Sequence, residues 1–378
     1  MKVKMKGLFP DPAEYPQNRL FCLDLLRGID MFYLSVVSVV FPPVFKVVGV
    51  AGSVSAFFFE HPWGGFSLYD LIMPLFIFMA GSAIPLSLGR RLENGRATWR
   101  YWSHVLSRVV MLWILGMFVQ GSLERFDLHH LSPYNNTLQT IAFGYLVAAA
   151  VMLLRNTYIK LAVPVALTLV YGLIVHFCGD YTKDGNITMI VELKILNAIL
   201  PLDNTQTANV VKYGYTWFLP SIIFPVMTLA GSFSTEILMS KLSECRKSVA
   251  LVLSGLSSLC AGWVLVLAGV PSIKQFYTVS FTLQAIGWCV LLLAILYVLT
   301  DILRYRRYTG LLLLFGQYAL SAYVCLTICR GPFVMLWKRF AIGLYDLFPV
   351  SYGAILSAVG YSLLTIAVLV ARRLLKSR

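Results

Sequence analysis

Apolar runs long enough to cross a bilayer, about 20 residues each, dominate this sequence. Ten can be marked, at 29–48, 68–88, 104–121, 137–154, 160–178, 217–239, 249–270, 277–300, 311–329 and 350–371. Inside lipid every backbone polar group must be satisfied within the protein, and runs of this length do so as helices. The chain is therefore expected to be an all-α polytopic membrane protein of about ten transmembrane helices. Composition agrees, since 58% of the 378 residues are hydrophobic and 13% are charged, where soluble domains carry about 25% charged residues. A net charge of +14 would suit a nucleic-acid partner, but the basic residues fall in short clusters between apolar runs, as membrane topology demands. With a cytoplasmic N-terminus, 22 of the 31 Lys and Arg sort to the inner side. Both termini are expected in the cytoplasm, the lipid bilayer is the first partner, and no nucleic acid is expected. Residues 1–378 read as one membrane domain, with a cytoplasmic N-terminal segment at 1–28 and a long external loop at 179–216. The first 18 residues are polar and lack the apolar core of a cleavable signal.

Within that frame the stretch 60–88, EHPWGGFSLYDLIMPLFIFMAGSAIPLSL, is where a site can be built. His61, Trp63, Gly64 and Gly65 make a glycine-rich turn on the expected outer face, leading into an apolar helix. Asp70, near the start of that helix, needs a partner or a wet cavity if buried. Pro74 and Pro85 each remove a backbone donor, which predicts a kink. At the first span Asp24, Arg27 and Asp30 are three apart and share a helical face. Two readings stay open there: a structural ion pair, or an Arg27 that meets a phosphate at the cytoplasmic entrance. His129 and His130 are adjacent, so their rings diverge, and two histidines fall short of a zinc site; a solvated loop is preferred and no metal is expected. In the 179–216 segment Val191, Leu193, Ile195, Leu196 and Ile199 suit an amphipathic helix on the membrane surface, serving as a lid or as a passive cap. Lys274, Tyr277, Ser280, Thr282 and Gln284 gather at the eighth span, and Gln317, Ser321 and Tyr323 are expected to face inward from the ninth. Such residues line a cavity or bond across helices. The seven cysteines include no CxxC and read as small buried apolar residues. The chain has no P-loop or dinucleotide fingerprint.

Several of these pieces form an ordered set: LDLLRGIDMF at 23–32, His61 with Trp63, LYDLIMPLFIFMAGSAIPLSL at 68–88, FDLHHLSPYNNTLQTIAFGYL at 126–146, IKQFYTVSFTLQAIGW at 273–288 and YRRYTGLLLLFGQYALSAY at 305–323. On them the chain resembles the transmembrane acyltransferase family of heparan-α-glucosaminide N-acetyltransferase and its bacterial relatives. The 68–88 block is the most specific of the six. The resemblance implies an enzyme of the bacterial cytoplasmic (inner) membrane that takes an acetyl group from cytoplasmic acetyl-CoA. It delivers that group to an amino sugar or related glycan on the external or periplasmic face; a homodimer is allowed. His61 falls on the family's active-site histidine, as general base or transient acyl carrier, and an imidazole with a reference pKa of about 6.5 suits either task. Trp63, Asp70, Ser38, Lys274 and Gln317 are expected to bind the acceptor, and Arg27 with Asp24 the donor. The chain departs from the family at three places. Ser38 stands where relatives carry Asn or Asp, YGYTWFLPS at 213–221 replaces an Asp-Pro-Glu-Gly, and Tyr318 replaces a usual Asn. The alternatives are a transporter for an amino sugar or cell-wall fragment, and an inactive relative that only binds ligand. The absence of an internal repeat weighs against the transporter.

Overall fold

The computed structural model describes residues 8–12, 15, 20–50, 63–88, 99–121, 127–201 and 203–376, with isolated positions at 52, 54, 58 and 123. All regular structure among the described residues is helical. In chain order the helices are α1 (Phe21–Val48), α2 (Ile72–Leu88), α3 (Trp99–Val119), α4 (Thr137–Val151), α5 (Thr157–Phe177), α6 (Ile187–Ile199), α7 (Thr205–Tyr213) and α8 (Phe224–Met239). There follow α9 (Glu244–Leu267), α10 (Val279–Tyr297), α11 (Gly310–Gln317), α12 (Ala319–Thr327), α13 (Arg330–Phe340), α14 (Ile342–Leu347) and α15 (Gly353–Lys376). Eight of the ten expected spans appear among the described residues as helices long and apolar enough to cross a membrane. The pair α11 and α12, bent by 79° at Tyr318, has the geometry of a broken span or of a re-entrant loop. The expected span at 137–154 is the short helix α4, whose 15 residues rise about 22 Å against a hydrocarbon core of about 30 Å.

The described residues gather into two compact units, one from 1–60, 67–72 and 292–378, the other from 61–66 and 73–291. In the first unit α1 starts at Phe21, earlier than the expected 29, so Asp24, Arg27 and Asp30 lie on one helix, as their spacing predicts. The cause is Asp301, whose carboxylate accepts the backbone N–H groups of Phe21 (3.3 Å) and Cys22 (3.0 Å). First-turn donors have no intrahelical partner, and a carboxylate there also meets the positive end of the helix dipole. Helix α1 then packs on α11 at backbone contact. A Cβ on Gly28 would lie 2.0 Å from the Leu312 carbonyl oxygen, and one on Gly316 would lie 2.1 Å from that of Asp24.

In the second unit α2 and α8 cross just as closely. A Cβ on Gly81 would meet the Thr228 oxygen at 1.8 Å, and one on Gly231 the Phe78 oxygen at 1.9 Å. Small residues let membrane helices approach in this way, which adds dispersion contact and interhelical hydrogen bonds. Pro85 inside α2 removes the N–H that would serve the Gly81 carbonyl four residues earlier. Ser232 of α8 replaces it, its hydroxyl donating to the Gly81 oxygen at 2.9 Å. Pro74 behaves otherwise than expected. It falls where the 3-10 turn Tyr69–Leu71 passes into α2, so its missing donor shortens the α-helical ladder instead of interrupting it. The cysteines divide: Cys22, Cys289 and Cys325 are buried, Cys329 is half-buried, and Cys178, Cys245 and Cys260 are exposed.

Candidate functional site

The second unit builds a site wall around the segment 214–218. It begins at Gly214, which ends α7 with φ +76°, a conformation glycine adopts without strain. The indole of Trp63 fills the space beside it, for a Cβ on Gly214 would come within 2.7 Å of Trp63 Cζ3. The Trp63 indole N–H donates to the Tyr181 carbonyl at 3.3 Å, and its ring lies 5.9 Å from that of Phe276. The turn after Trp63 is held by the Gly65 N–H donating to the Ser272 carbonyl at 2.8 Å. Thr216 continues the wall, its N–H donating to the Gln275 carbonyl at 3.2 Å and its hydroxyl to Thr188 Oγ1 at 3.0 Å. The Tyr215 and Trp217 rings stack at 6.2 Å and 22°, and Lys274 Nζ lies 6.0 Å from the Tyr215 ring centre. That distance is at the outer edge of a cation–π contact.

Lys274 is held on a rigid turn. Tyr277 has φ +53°, a conformation a non-glycine residue adopts at a cost of about 1–3 kcal/mol. Thr278 locks the turn by accepting the Ile273 N–H at 3.0 Å, Ser272 donates to Gln284 at 2.8 Å, and Ser280 donates to the Pro271 carbonyl at 2.8 Å. The polar residues at the start of α10 are thus spent on shaping the turn that carries Lys274.

Sequence reasoning missed Glu192. Its side chain is fully buried, and Oε2 accepts the N–H groups of Trp217 and Phe218, each at 2.9 Å. Burial pushes the carboxyl up to about 7, against the pull of those two hydrogen bonds. Its other oxygen, the Tyr215 hydroxyl and the Trp217 indole N–H have no partner among the described residues. The expected amphipathic helix exists as α6, but the residues it buries are Thr188, Met189, Glu192 and Leu196. Ile199 is 56% exposed and Val191, Leu193 and Ile195 are half-buried. The helix is turned so that Glu192 reaches the donors at 217–218.

The first unit holds Asp24, Arg27, Asp30, Ser38, Asp70 and Gln317. Arg27 Nη1 lies 3.2 Å from Asp24 Oδ1, and the Tyr15 hydroxyl donates to Asp24 Oδ2 at 2.5 Å. Asp30 is buried one turn on. The Asp301 carboxylate is 3.8 Å from Arg306 Nη2, and the Arg306 guanidinium sits 4.4 Å over the Phe21 ring. Gln317, expected to face inward, is exposed at the bend between α11 and α12, where the change of helix direction carries it out of the packed face. Ser38 donates its hydroxyl to the Leu34 carbonyl at 2.7 Å, within its own helix. Asp70 is buried within the 3-10 turn. Its Oδ2 accepts both the Ser67 N–H (3.0 Å) and the Ser67 hydroxyl (2.7 Å). His61 lies outside the described residues. His129 Nδ1 lies 2.8 Å from Asp203 Oδ1, and His130 Nδ1 lies 3.0 Å from Asp127 Oδ2, so each ring has its own carboxylate. No group of three or more metal-ligating side chains occurs among the described residues.

Helices of span length and small-residue crossings define an integral membrane protein. The chain matches no protein-family model. Over 110 residues, 29% of the chain, it is 28% identical to heparan-alpha-glucosaminide N-acetyltransferase of Mus musculus. The match spans 15% of that protein's length.

Proposed function

We propose that this protein is a membrane acyltransferase that moves an acetyl group from acetyl-CoA on the cytoplasmic face to an amino sugar or related glycan on the external face. The observation that carries this reading is the gathering of Trp63, Lys274 and Glu192 on the one segment 214–218. Trp63 is two residues from His61, which the reading makes the general base or acyl carrier. The limited similarity to a named N-acetyltransferase supports the same chemistry. The acceptor amine attacks the thioester carbonyl, His61 takes the amine proton, and the sulfur of CoA leaves with that proton as the free thiol. Trp63 and Tyr215 offer ring faces for a sugar, and the unpartnered hydroxyl of Tyr215 and indole N–H of Trp217 offer hydrogen bonds to it. Arg27 with Asp24, partly exposed on α1, forms the donor end, because a guanidinium suits a phosphate. The sorting of basic residues supports cytoplasmic termini and a site wall on the opposite face, and the family resemblance implies a bacterial cytoplasmic membrane.

A transporter is the second reading, favoured by the 79° break within residues 310–327, since broken helices carry substrate sites in many transporters. Proteoliposomes separate the two. Transfer of labelled acetyl from acetyl-CoA to glucosamine, without uptake of labelled sugar, is the expected result. Uptake without transfer overturns the enzyme reading.

A further inference from the structure

Residues 330–357 of the first unit build a groove unrelated to the acetyl-transfer reading. Helix α13 buries none of its residues, yet it is fixed against α15 through Trp337. Only a glycine fits beneath that indole, since a Cβ on Gly360 would lie 2.0 Å from Trp337 Cγ. The next residue, Lys338, lines a cavity of about 500 Å³ with Ile342, Tyr345, Val350, Gly353, Ala354 and Ser357. A volume of that order is typical of small-molecule sites. The Tyr345 and Ser357 hydroxyls lie 2.9 Å apart, and the lining contains no carboxylate. Lys338 itself makes no ion pair or hydrogen bond with the described residues. Around the groove Val350 is 97% exposed, Phe340 81% and Leu347 75%.

Position completes the argument. The groove sits at the start of the span-length stretch Val350–Lys376, the depth at which a span leaves hydrocarbon and lipid headgroups begin. An unpaired ammonium over apolar walls attracts an anion that carries its own apolar chain, and snorkelling lysines meet such groups at this depth. We propose that the groove binds one anionic phospholipid. Its phosphate meets Lys338, its headgroup hydroxyls meet Tyr345 and Ser357, and the upper part of one acyl chain lies over Ile342, Val350 and Ala354.

Native mass spectrometry of the purified protein in detergent, titrated with phosphatidylglycerol or phosphatidylcholine of matched chains, tests this. One molecule of phosphatidylglycerol should be retained about tenfold more strongly than phosphatidylcholine, the scale expected of one charge-assisted contact. Lys338→Gln should bring the two lipids within about twofold, and Lys338→Arg should keep the preference. Arg339→Gln, which changes a neighbouring cation outside the lining, should leave it intact. Ala354→Trp, which fills the groove, should remove the retained molecule while thermal unfolding shows the fold preserved. Millimolar inorganic phosphate should not displace the lipid. An unchanged lipid preference in Lys338→Gln, or displacement by phosphate alone, overturns the proposal.

Discussion

Replacing Glu192 by glutamine should remove the part of the pH-dependent stability loss that this buried carboxyl produces. The buried carboxyl is raised from 4.5 to about 7. Between those values the folded protein holds a proton that the unfolded chain has released, so stability is greatest below about pH 4.5, falls as pH rises toward 7, and is level above that. At about 1.4 kcal/mol per pH unit the loss is of the order of 3 kcal/mol. Glutamine keeps an oxygen that can accept the Trp217 and Phe218 N–H groups and carries no charge to desolvate. It should therefore match the wild type at about pH 5 and exceed it at about pH 7.5. Thermal unfolding in mild detergent, followed by tryptophan fluorescence at both pH values, reads the effect. The wild-type-minus-variant difference isolates Glu192 from every other group that titrates in the interval. Glu192→Leu separates charge from hydrogen bonding. It strands two buried donors, at roughly 1–3 kcal/mol each, and should destabilise at both pH values. A glutamine variant that keeps the wild-type slope would refute the assignment of a buried, raised carboxyl to this position.

Ser232→Ala should destabilise by about 1–3 kcal/mol in the wild type but by much less in a Pro85→Ala background, where residue 85 regains the N–H for the Gly81 carbonyl. A double-mutant cycle on unfolding in detergent gives the coupling, and a value near zero would deny that the serine substitutes for the missing donor. If the donor binds at α1, Arg27→Ala should weaken CoA binding by calorimetry at least tenfold, whereas Lys183→Ala, whose ammonium reaches the Lys212 carbonyl, should leave it unchanged. His61→Ala should lower acetyl transfer by about 10²–10⁴-fold with CoA binding retained. His129→Ala and His130→Ala, losing carboxylate contacts at an exposed and a half-buried position, should stay within about threefold.

Most spans were legible because length and apolarity are local properties of a sequence. The expected runs at 217–239 and 350–371 return as Leu219–Met239 and Val350–Lys376. What hydropathy misses is closure by distant groups. Apolarity falters at Asp24, Arg27 and Asp30, so a hydropathy reading starts the first span after most of them, whereas the helix itself starts at Phe21. Pro85 marks, in the sequence alone, a carbonyl four residues earlier that loses its intrahelical donor. The remedy, a serine 147 positions later on α8, belongs to the packing of two helices and leaves no mark near the proline. The glycines are similar. Gly81 and Gly231 look like ordinary small residues until the crossing brings each to backbone contact with the other helix.

The site shows the same division more sharply. Trp63 and Lys274 stood out as side chains whose chemistry is costly to place without purpose, and both border the segment 214–218. Glu192 did not, because a carboxylate in an amphipathic helix ordinarily marks the wet face. Here the order is reversed by what precedes the turn Leu219–Ile222. Trp217 and Phe218 lead into that helical turn, and the donors at a helix start find no acceptor within the helix. Glu192 supplies one from α6, as Asp301 supplies one to the start of α1. A capping motif is sought within three or four residues of a helix start, and Ser67 with Asp70 obeys that rule. Glu192 acts 25 residues away and Asp301 280. In a membrane protein the alternative to such a cap is an unpaired donor away from water, which costs several kcal/mol. Helix starts that lack a local cap are therefore where a buried carboxylate from elsewhere in the chain should be sought. The two found here are also the two that tie the candidate acceptor wall and the candidate donor helix to the rest of their units.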